Sequence, residues 1–361
     1  MKQNWKYQKM GDTFVLQMGK TPPRKNEKYW GGNNTWISIG DMGNSKFISS
    51  SKEKISDLAI KDTGIKIVPK GTVIMSFKLS VGKVGIANSD LYSNEAIMAF
   101  IPKCETTIIS DYLFYYLKGY KWENSNRAVK GITLNKELIS KGIIAIPGIE
   151  AQRLIVEELD LIQSIIDKQK RQLLELDNLQ QSIFHNMFGD PITNEKKWQT
   201  KKVIEVVKFQ RGYDLPTSNR IQDGGYPIFG SNGMVGYHNE YMIEKGIVTG
   251  RSGTIGLVFC YDKPFWPLNT TLFSINTFGN NLIFLKYLIS NFHLERFKAG
   301  ASVPTLNRNE FHNKKIISIP LALQEEFAEK IEAIERQKEL IKKSIADSEQ
   351  LLNYTMDKYF G

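Results

Sequence analysis

The side chains best suited to chemistry with a ligand gather at glycine-rich turns. One turn runs Ser80-Val81-Gly82-Lys83-Val84-Gly85, with Ser76 and Lys78 just before it. A second runs Gly250-Arg251-Ser252-Gly253-Thr254-Ile255-Gly256, and a third begins Gly230-Ser231-Asn232-Gly233. A nucleotide-phosphate loop needs Gly-Lys-Ser/Thr after its glycines, or a strand–GxGxxG–helix setting, and none of the three has either. They read as hairpin turns. Cationic, amide and hydroxyl side chains carried on rigid turns are the donors that meet phosphates and base edges. The candidate contacts are Ser76, Lys78, Ser80 and Lys83 in the first half, and Arg211, Tyr213, Ser231, Asn232, Arg251, Ser252 and Thr254 in the second. Arg251 is the favoured one. A further basic cluster follows in each half: Asn124, Asn126, Arg127 and Lys130, then Arg296, Lys298 and Ser302. Its repetition assigns Arg127, Lys130, Lys298 and Ser302 to the same surface.

Catalytic constellations are missing from the pattern. His185, His238, His293 and His312 are scattered, with no pair at metal-ligand spacing, and there is no Cys-x-x-Cys. Asp190, Glu195 and Lys197 imitate the acid–acid–lysine order of metal-dependent nucleases. They straddle a helix end and a linker, and nothing matches them at the end of the second half. No tetrad of the Asn-Pro-Pro-Tyr type and no cofactor-binding glycine strand occurs. The expectation is therefore a binder with no catalytic residue, no metal site and no cofactor of its own. The competing reading is a stand-alone DNA methyltransferase or endonuclease fragment with an unrecognised active site.

The elements that must position these loops are legible as a repeat. Trp5 to Gly19 and Trp198 to Gly212 are equal intervals, with Gln17 matching Gln210 and Pro23 matching Pro216. Lys70-Gly71-Thr72-Val73 matches Lys245-Gly246-Ile247-Val248, and Thr133-Leu134-Asn135 matches Thr305-Leu306-Asn307. Strands are expected at 36–40, 66–68, 72–77, 83–87, 96–101 and 143–146. Their counterparts are 228–229, 247–249, 257–260, 271–275 and 316–319, and each set is interrupted by a helix, 111–117 or 283–290. Each half then ends in a long helix. Ile155, Leu159, Ile162, Ile166, Leu173, Leu176 and Ile183 keep alternating steps of four and three or their sum, the seam of a coiled coil. At a constant offset of 172, the second helix presents Phe327, Ile331, Ile334, Ile341, Ile345 and Leu352, with Lys338 as a cation inside the seam. Helices of about 38 residues would be roughly 57 Å long, longer than a small domain, so each needs the other as a partner. Gly189 and Pro191 are expected to stop the first.

The expected fold is α+β: two tandem strand-rich domains, each followed by a long helix, the two helices pairing as an antiparallel coiled coil. The expected boundaries are 1–149, 150–189, 190–321 and 322–361. Net charge follows these boundaries, at +10, −3, +6 and −3 in turn. Basic globules joined by mildly acidic helices suit a polyanion at the globules and not at the helices. No apolar run is long enough for a membrane span, and Met1–Met10 lacks the apolar core of a signal peptide. Cys104 and Cys260 sit in separate apolar runs and are expected to be buried reduced thiols of a cytoplasmic protein.

The duplicated order resembles the specificity (S) subunit of type I restriction–modification systems. The resemblance rests on Lys70–Ile86 with Lys245–Val258, and on the junctions Ile143–Ile155 and Ile316–Phe327, where strand, Pro and Gln lead into a long helix. It covers essentially the whole chain. It implies two target-recognition domains reading the halves of an asymmetric bipartite site in double-stranded DNA, and a helical spacer fixing the gap. It also implies two methyltransferase (M) subunits docked by the chain. Restriction (R) subunits would join through that complex of two M subunits and one S subunit. S-adenosylmethionine, ATP and Mg would belong to those partners. With few residues before Trp5 and the second helix running to Gly361, the expected arrangement is a compact version of that pattern.

Overall fold

The computed structural model describes residues 5–43, 45–78, 80–103, 108–122, 126–128, 131–300 and 304–361. The chain forms two compact units, 1–168 with 345–361, and 169–344. Each long helix therefore gives part of its length to each unit.

Unit one opens with β1 (Lys6–Lys9), α1 (Met10–Thr13), β2 (Phe14–Met18), β3 (Trp30–Ile37), β4 (Phe47–Ile48), β5 (Glu53–Ile55) and α2 (Asp57–Thr63). It continues through β6 (Val73–Ser76), β7 (Val84–Ala87), β8 (Tyr92–Ser93), β9 (Ile97–Pro102) and α3 (Ser110–Gly119). A hairpin of β10 (Asn126–Ala128) and β11 (Gly131–Thr133), then α4 (Lys136–Lys141) and β12 (Ile143–Ile146), lead into α5 (Ile149–Phe188). The main sheet has the order β2-β9-β6-β7-β4, antiparallel except for β7 with β4. A second sheet has the order β5-β3-β8, and β1 pairs with β12. All four residues of β6 are buried, as befits a strand flanked on both sides and covered on both faces. Phe14, Met75, Phe100, Tyr112 and Leu159 share one core, joining sheet, α3 and the start of α5.

Unit two repeats this plan. Its strands are β13 (Thr200–Lys202), β14 (Lys208–Arg211), β15 (Tyr226–Gly230), β16 (Gly233–His238), β17 (Gly246–Gly250), β18 (Val258–Tyr261), β19 (Trp266–Pro267) and β20 (Thr271–Asn276). A hairpin of β21 (Lys298–Ala299) and β22 (Thr305–Leu306), and then β23 (Lys315–Ile317), complete the strands. Its helices are α6 (Val203–Val206), α7 (Leu282–Ser290), α8 (Arg308–His312) and α9 (Leu321–Phe360). The main sheet is β14-β20-β17-β18, the small sheet β16-β15-β19, and β13 pairs with β23. In its main sheet this is unit one without β4. The expected strand at 66–68 is reduced to a single bridge, Val68 to Leu91.

Gly189 ends α5 in the left-handed conformation, its N–H bonding to His185 C=O at 2.8 Å. The helices α5 and α9 pair in antiparallel fashion. In unit one Tyr359 bonds to Glu158, while in unit two Gln169 reaches Ser344 (2.7 Å) and Gln180 reaches Glu335 (2.8 Å). The seam residues Ile155, Leu159, Ile162, Ile166, Phe327, Ile331, Ile334 and Ile345 are buried. Leu173, Leu176, Ile183, Ile341 and Leu352 are half-buried. Near the end of α5, Phe184 and Phe188 are the buried residues, in an aromatic cluster with Phe284 and Phe327. The α7 helix packs there beside α9, so the buried face is turned from a simple two-helix seam.

Lys338 meets acids. Its ammonium lies 2.7 Å from Asp177 and 2.9 Å from Glu335 and is 13% exposed. Burial works against the charge, but the hydrogen bonds to Asp177 and Glu335 outweigh it and hold Lys338 above the usual lysine value. A polar residue inside a seam fixes register at some cost in stability. Lys338→Met keeps the stem and removes the charge; it is expected to lower stability by about 1–2 kcal/mol, because Glu335 is left without its cation. A urea midpoint equal to that of the unaltered chain would contradict this. Among the described residues, no helix is long and apolar enough to cross a membrane.

Candidate nucleic-acid interface

In unit two the turn after β17 is pinned from two sides. Arg251 and Ser252 donate their N–H groups to Thr270 C=O at 2.8 and 3.1 Å. Arg251 C=O accepts from Leu306 N–H (2.7 Å), and Gly253 N–H bonds to Pro304 C=O (3.2 Å). Gly253 is left-handed, which makes the reversal possible. These bonds tie the turn to the hairpin β21–β22, so exposed Lys298 belongs to the same cluster. The third turn packs here as well: a Cβ on Gly250 would lie 3.2 Å from Ser231 Cβ. The Arg251 guanidinium is half-buried and donates to Asn269 C=O at 3.3 Å. Asn269 donates its side-chain amide to Asp214, and Asp214 lies 3.6 Å from Arg211. Arg211, Ser231, Arg251, Ser252 and Lys298 are thus linked through one set of contacts. Asn232 and Thr254 lie on the same turns, and both are exposed. Tyr213 is half-buried, with its ring against Phe273 and Trp266, where it supports the loop.

Unit one builds the same site from other side chains. Its turn after β6 is tied to the β10–β11 hairpin by Leu134 N–H to Phe77 C=O (2.9 Å), the counterpart of Leu306 to Arg251. Thr21 donates to Glu95 where Asn269 donates to Asp214 in unit two. Burial opposes ionisation of Glu95, but the Thr21 hydroxyl and the nearby cations Lys78 and Arg24 hold its carboxyl below the usual range. Arg24 stacks 4.0 Å over Trp30 and pairs with Glu53. Ser80 and Lys83 are exposed, and Lys78 is half-buried with its ammonium 5.3 Å over Phe77.

Ser76 departs from the expectation. It is completely buried, and its hydroxyl donates to Ser80 C=O while accepting Lys83 N–H at 3.0 Å. Both capacities of the hydroxyl are used inside the turn, so Ser76 shapes the turn and does not face a ligand. Only the backbone of Arg127 is described, in β10, and Lys130 and Ser302 lie outside the described residues. Sequence reasoning missed Thr21, Arg24, Glu95, Asp214 and Asn269. The equal Trp-to-Gly intervals at Gly19 and Gly212 were the available signal, since each glycine lies within two residues of one of these bonded pairs.

The residues that imitate a nuclease site have structural work. Asp190 accepts N–H bonds from Ile192 (2.7 Å) and Thr193 (3.4 Å), forming the turn after α5, and Glu195 accepts from Thr193. His312 is buried, accepts Phe209 N–H at 3.1 Å, and is pushed down to about 4 by burial, with Arg308 and Lys208 adding to the effect. Among the described residues no cluster of His, Cys, Asp and Glu could hold a metal ion. Cys260 is a free thiol, half-buried, and pushed up to about 11 by burial. Cys104 lies outside the described residues.

The arrangement presents cations, amides and hydroxyls on braced turns, with carboxylates holding the turns in place. A family profile described as the type I restriction modification DNA specificity domain matches residues 2–176 and 195–350. The chain belongs to that family. The MjaIX type I restriction enzyme specificity subunit of Methanocaldococcus jannaschii is 29% identical over 239 residues, 59% of this chain and 54% of that protein. The HindI specificity subunit of Haemophilus influenzae is 25% identical over 183 residues, 48% of this chain and 39% of that one. The chain thus spans about half the length of the first of these relatives and less of the second. In fold it is similar to the S subunit of a type I restriction–modification system from M. genitalium, with TM-score 0.58, 14% identity, and 99% and 96% of the two chains covered. A chain from a structure on complex assembly and conformational transition of the type I R-M system gives TM-score 0.65 at 15% identity, covering 99% and 97%.

Proposed function

We propose that this chain is the non-catalytic DNA-specificity subunit of a type I restriction–modification complex in the cytoplasm. Unit one reads one half of an asymmetric, bipartite site in double-stranded DNA, and unit two reads the other. The paired helices set the unread gap and dock two M subunits, through which R subunits join. S-adenosylmethionine, ATP and Mg act in those partners. The observation that carries this reading is the duplicated loop cluster: the same backbone bonds in both units hold different side chains, as two independent readers require. Family membership and the basic charge of both globules support it. Genome-wide mapping of methylated adenines, with and without this chain, tests it. A bipartite motif that vanishes without the chain is expected; methylation by the purified chain alone would overturn the non-catalytic role.

Arg251→Ala is expected to weaken protection of one half-site only. A loss of about tenfold in affinity is reasonable for one removed guanidinium contact. Footprinting at fixed salt checks this, since cations displace counterions and make affinity steeply salt-dependent. Equal loss at both halves would contradict the assignment of Arg251 to one reader.

A further inference from the structure

Both units carry a cleft beside the corresponding helices, and only unit one fills that helix-lined part from its own chain. In unit one it lies between α3, α5 and the entry to β4, with a volume of about 440 Å³. In unit two it lies between α7, α9, β18 and the end of β20 with the loop that leads into α7, with a volume of about 1250 Å³. The linings correspond at the offset that relates the helices: Phe114 to Lys286, Tyr115 to Tyr287, Asp160 to Glu332 and Ser164 to Arg336. In unit one, β4 adds in parallel to β7 through Ile86 N–H to Lys46 C=O (2.8 Å) and Asn88 N–H to Ile48 C=O (3.0 Å). Lys46 then pairs with Asp111 (2.6 Å) and Asp160 (2.7 Å).

Unit two has no strand in that place among the described residues. Its sheet ends at β18, which leaves the outer edge of Val258–Tyr261 without a strand partner. Such an edge is a template for an added strand. The charges around it differ from unit one. Ile283 stands where Asp111 does, which removes half of the lysine receptor, and Lys286 replaces Phe114. Glu335 is held by Lys338 at 2.9 Å, and Glu332 faces Arg336 at 3.9 Å. Among the described residues, the lining groups left without an ion pair are Lys245, Lys286 and Asp262, a net positive set.

We propose that this cleft binds an extended segment of the methyltransferase subunit, which adds to the β18 edge as β4 adds to β7 and directs an acidic side chain at Lys245 and Lys286. The partner's identity rests on the function proposed above; the mode of binding and its charge rest on the cleft. Cys260 lines the cleft and serves as the reporter. The full chain is labelled with a maleimide, alone and assembled with its cognate methyltransferase subunit, and modification at Cys260 is read by peptide mass mapping. Labelling about tenfold slower in the complex is expected, with assembly weakened about tenfold by Lys286→Glu and by Lys245→Glu. Lys245 is exposed, so its reversal leaves the fold unaltered. A complex in which Cys260 labels at the free rate, or in which both reversals assemble normally, overturns the proposal alone. Failure of the unaltered chain to assemble overturns the functional reading as well.

Discussion

Gly212→Ala is expected to destabilise unit two by about 3 kcal/mol, and Gly19→Ala to do the same in unit one. Neither glycine is needed for a left-handed backbone; the constraint is proximity. A Cβ on Gly212 would lie 2.2 Å from Leu268 O and 2.5 Å from Pro267 O. On Gly19 it would lie 2.1 Å from Ser93 O and 2.4 Å from Asn94 O. The neighbours are backbone atoms held by bonds of their own: Tyr213 N–H to Pro267 C=O at 2.8 Å, and Lys20 N–H to Ser93 C=O at 2.8 Å. Relief requires the two segments to part, which breaks those bonds and the adjacent Asp214–Asn269 or Thr21–Glu95 pair. For units of this size the loss corresponds to a fall in melting temperature of roughly 6–12 °C. Calorimetry checks the stability. Footprinting checks the location, because under the proposed function Gly212→Ala blurs one half-site and leaves the other sharp. A melting temperature within about a degree of the unaltered protein would show that the segments can separate freely.

The parts that sequence conveyed well are those governed by local periodicity. The α5 and α9 helices keep a constant offset because a helix tolerates no insertion without rotating its apolar stripe. The central strands β6, β9, β17 and β20 are short apolar runs between turn residues. What sequence hid depends on contacts between distant segments. β2 is a five-residue edge strand with alternating burial, too short for its period to stand out. Ser76 looked like a ligand donor because its type and turn were right, yet burial at the strand end turned the hydroxyl inward. The bonded pairs Thr21–Glu95 and Asp214–Asn269 join residues 74 and 55 positions apart, and no local pattern announces them. The heptad pattern favoured Ile183 at the end of α5, whereas Phe184 and Phe188 are the buried residues. A strict seven-residue repeat assumes one partner helix, and α7 supplies a second.

The remaining duplicated feature makes a strong test of how globule and helix are joined. Gln324→Leu is expected to cost about 3 kcal/mol, and Gln152→Leu a similar amount. Both glutamines are fully buried. Gln152 accepts Ile109 N–H (3.0 Å), at the cap of α3, and donates to Pro147 C=O (2.9 Å), just before α5. Gln324 accepts Asn281 N–H (2.9 Å), at the cap of α7, and donates to Ile319 C=O and Asn280 Oδ1, both at 2.8 Å. One side chain thus clamps a short helix to the start of a long one in each unit. Leucine fills the space but strands a buried N–H and a buried C=O, each costing on the order of 1–3 kcal/mol. Gln324→Glu separates packing from hydrogen bonding. Ionised, the carboxylate keeps the acceptor for Asn281 N–H but opposes Ile319 C=O, and burial raises its folded pKa above the unfolded value of about 4.3. The destabilisation should therefore be full above the folded pKa and shrink as pH falls below it, where a protonated carboxyl can again donate. Urea midpoints of Gln324→Glu against Gln324→Leu, from about pH 7 down to about pH 4.5, decide the matter. Recovery on acidification in the glutamate variant and not in the leucine variant is the expected result, and parallel profiles would mean that the clamp acts through its shape alone.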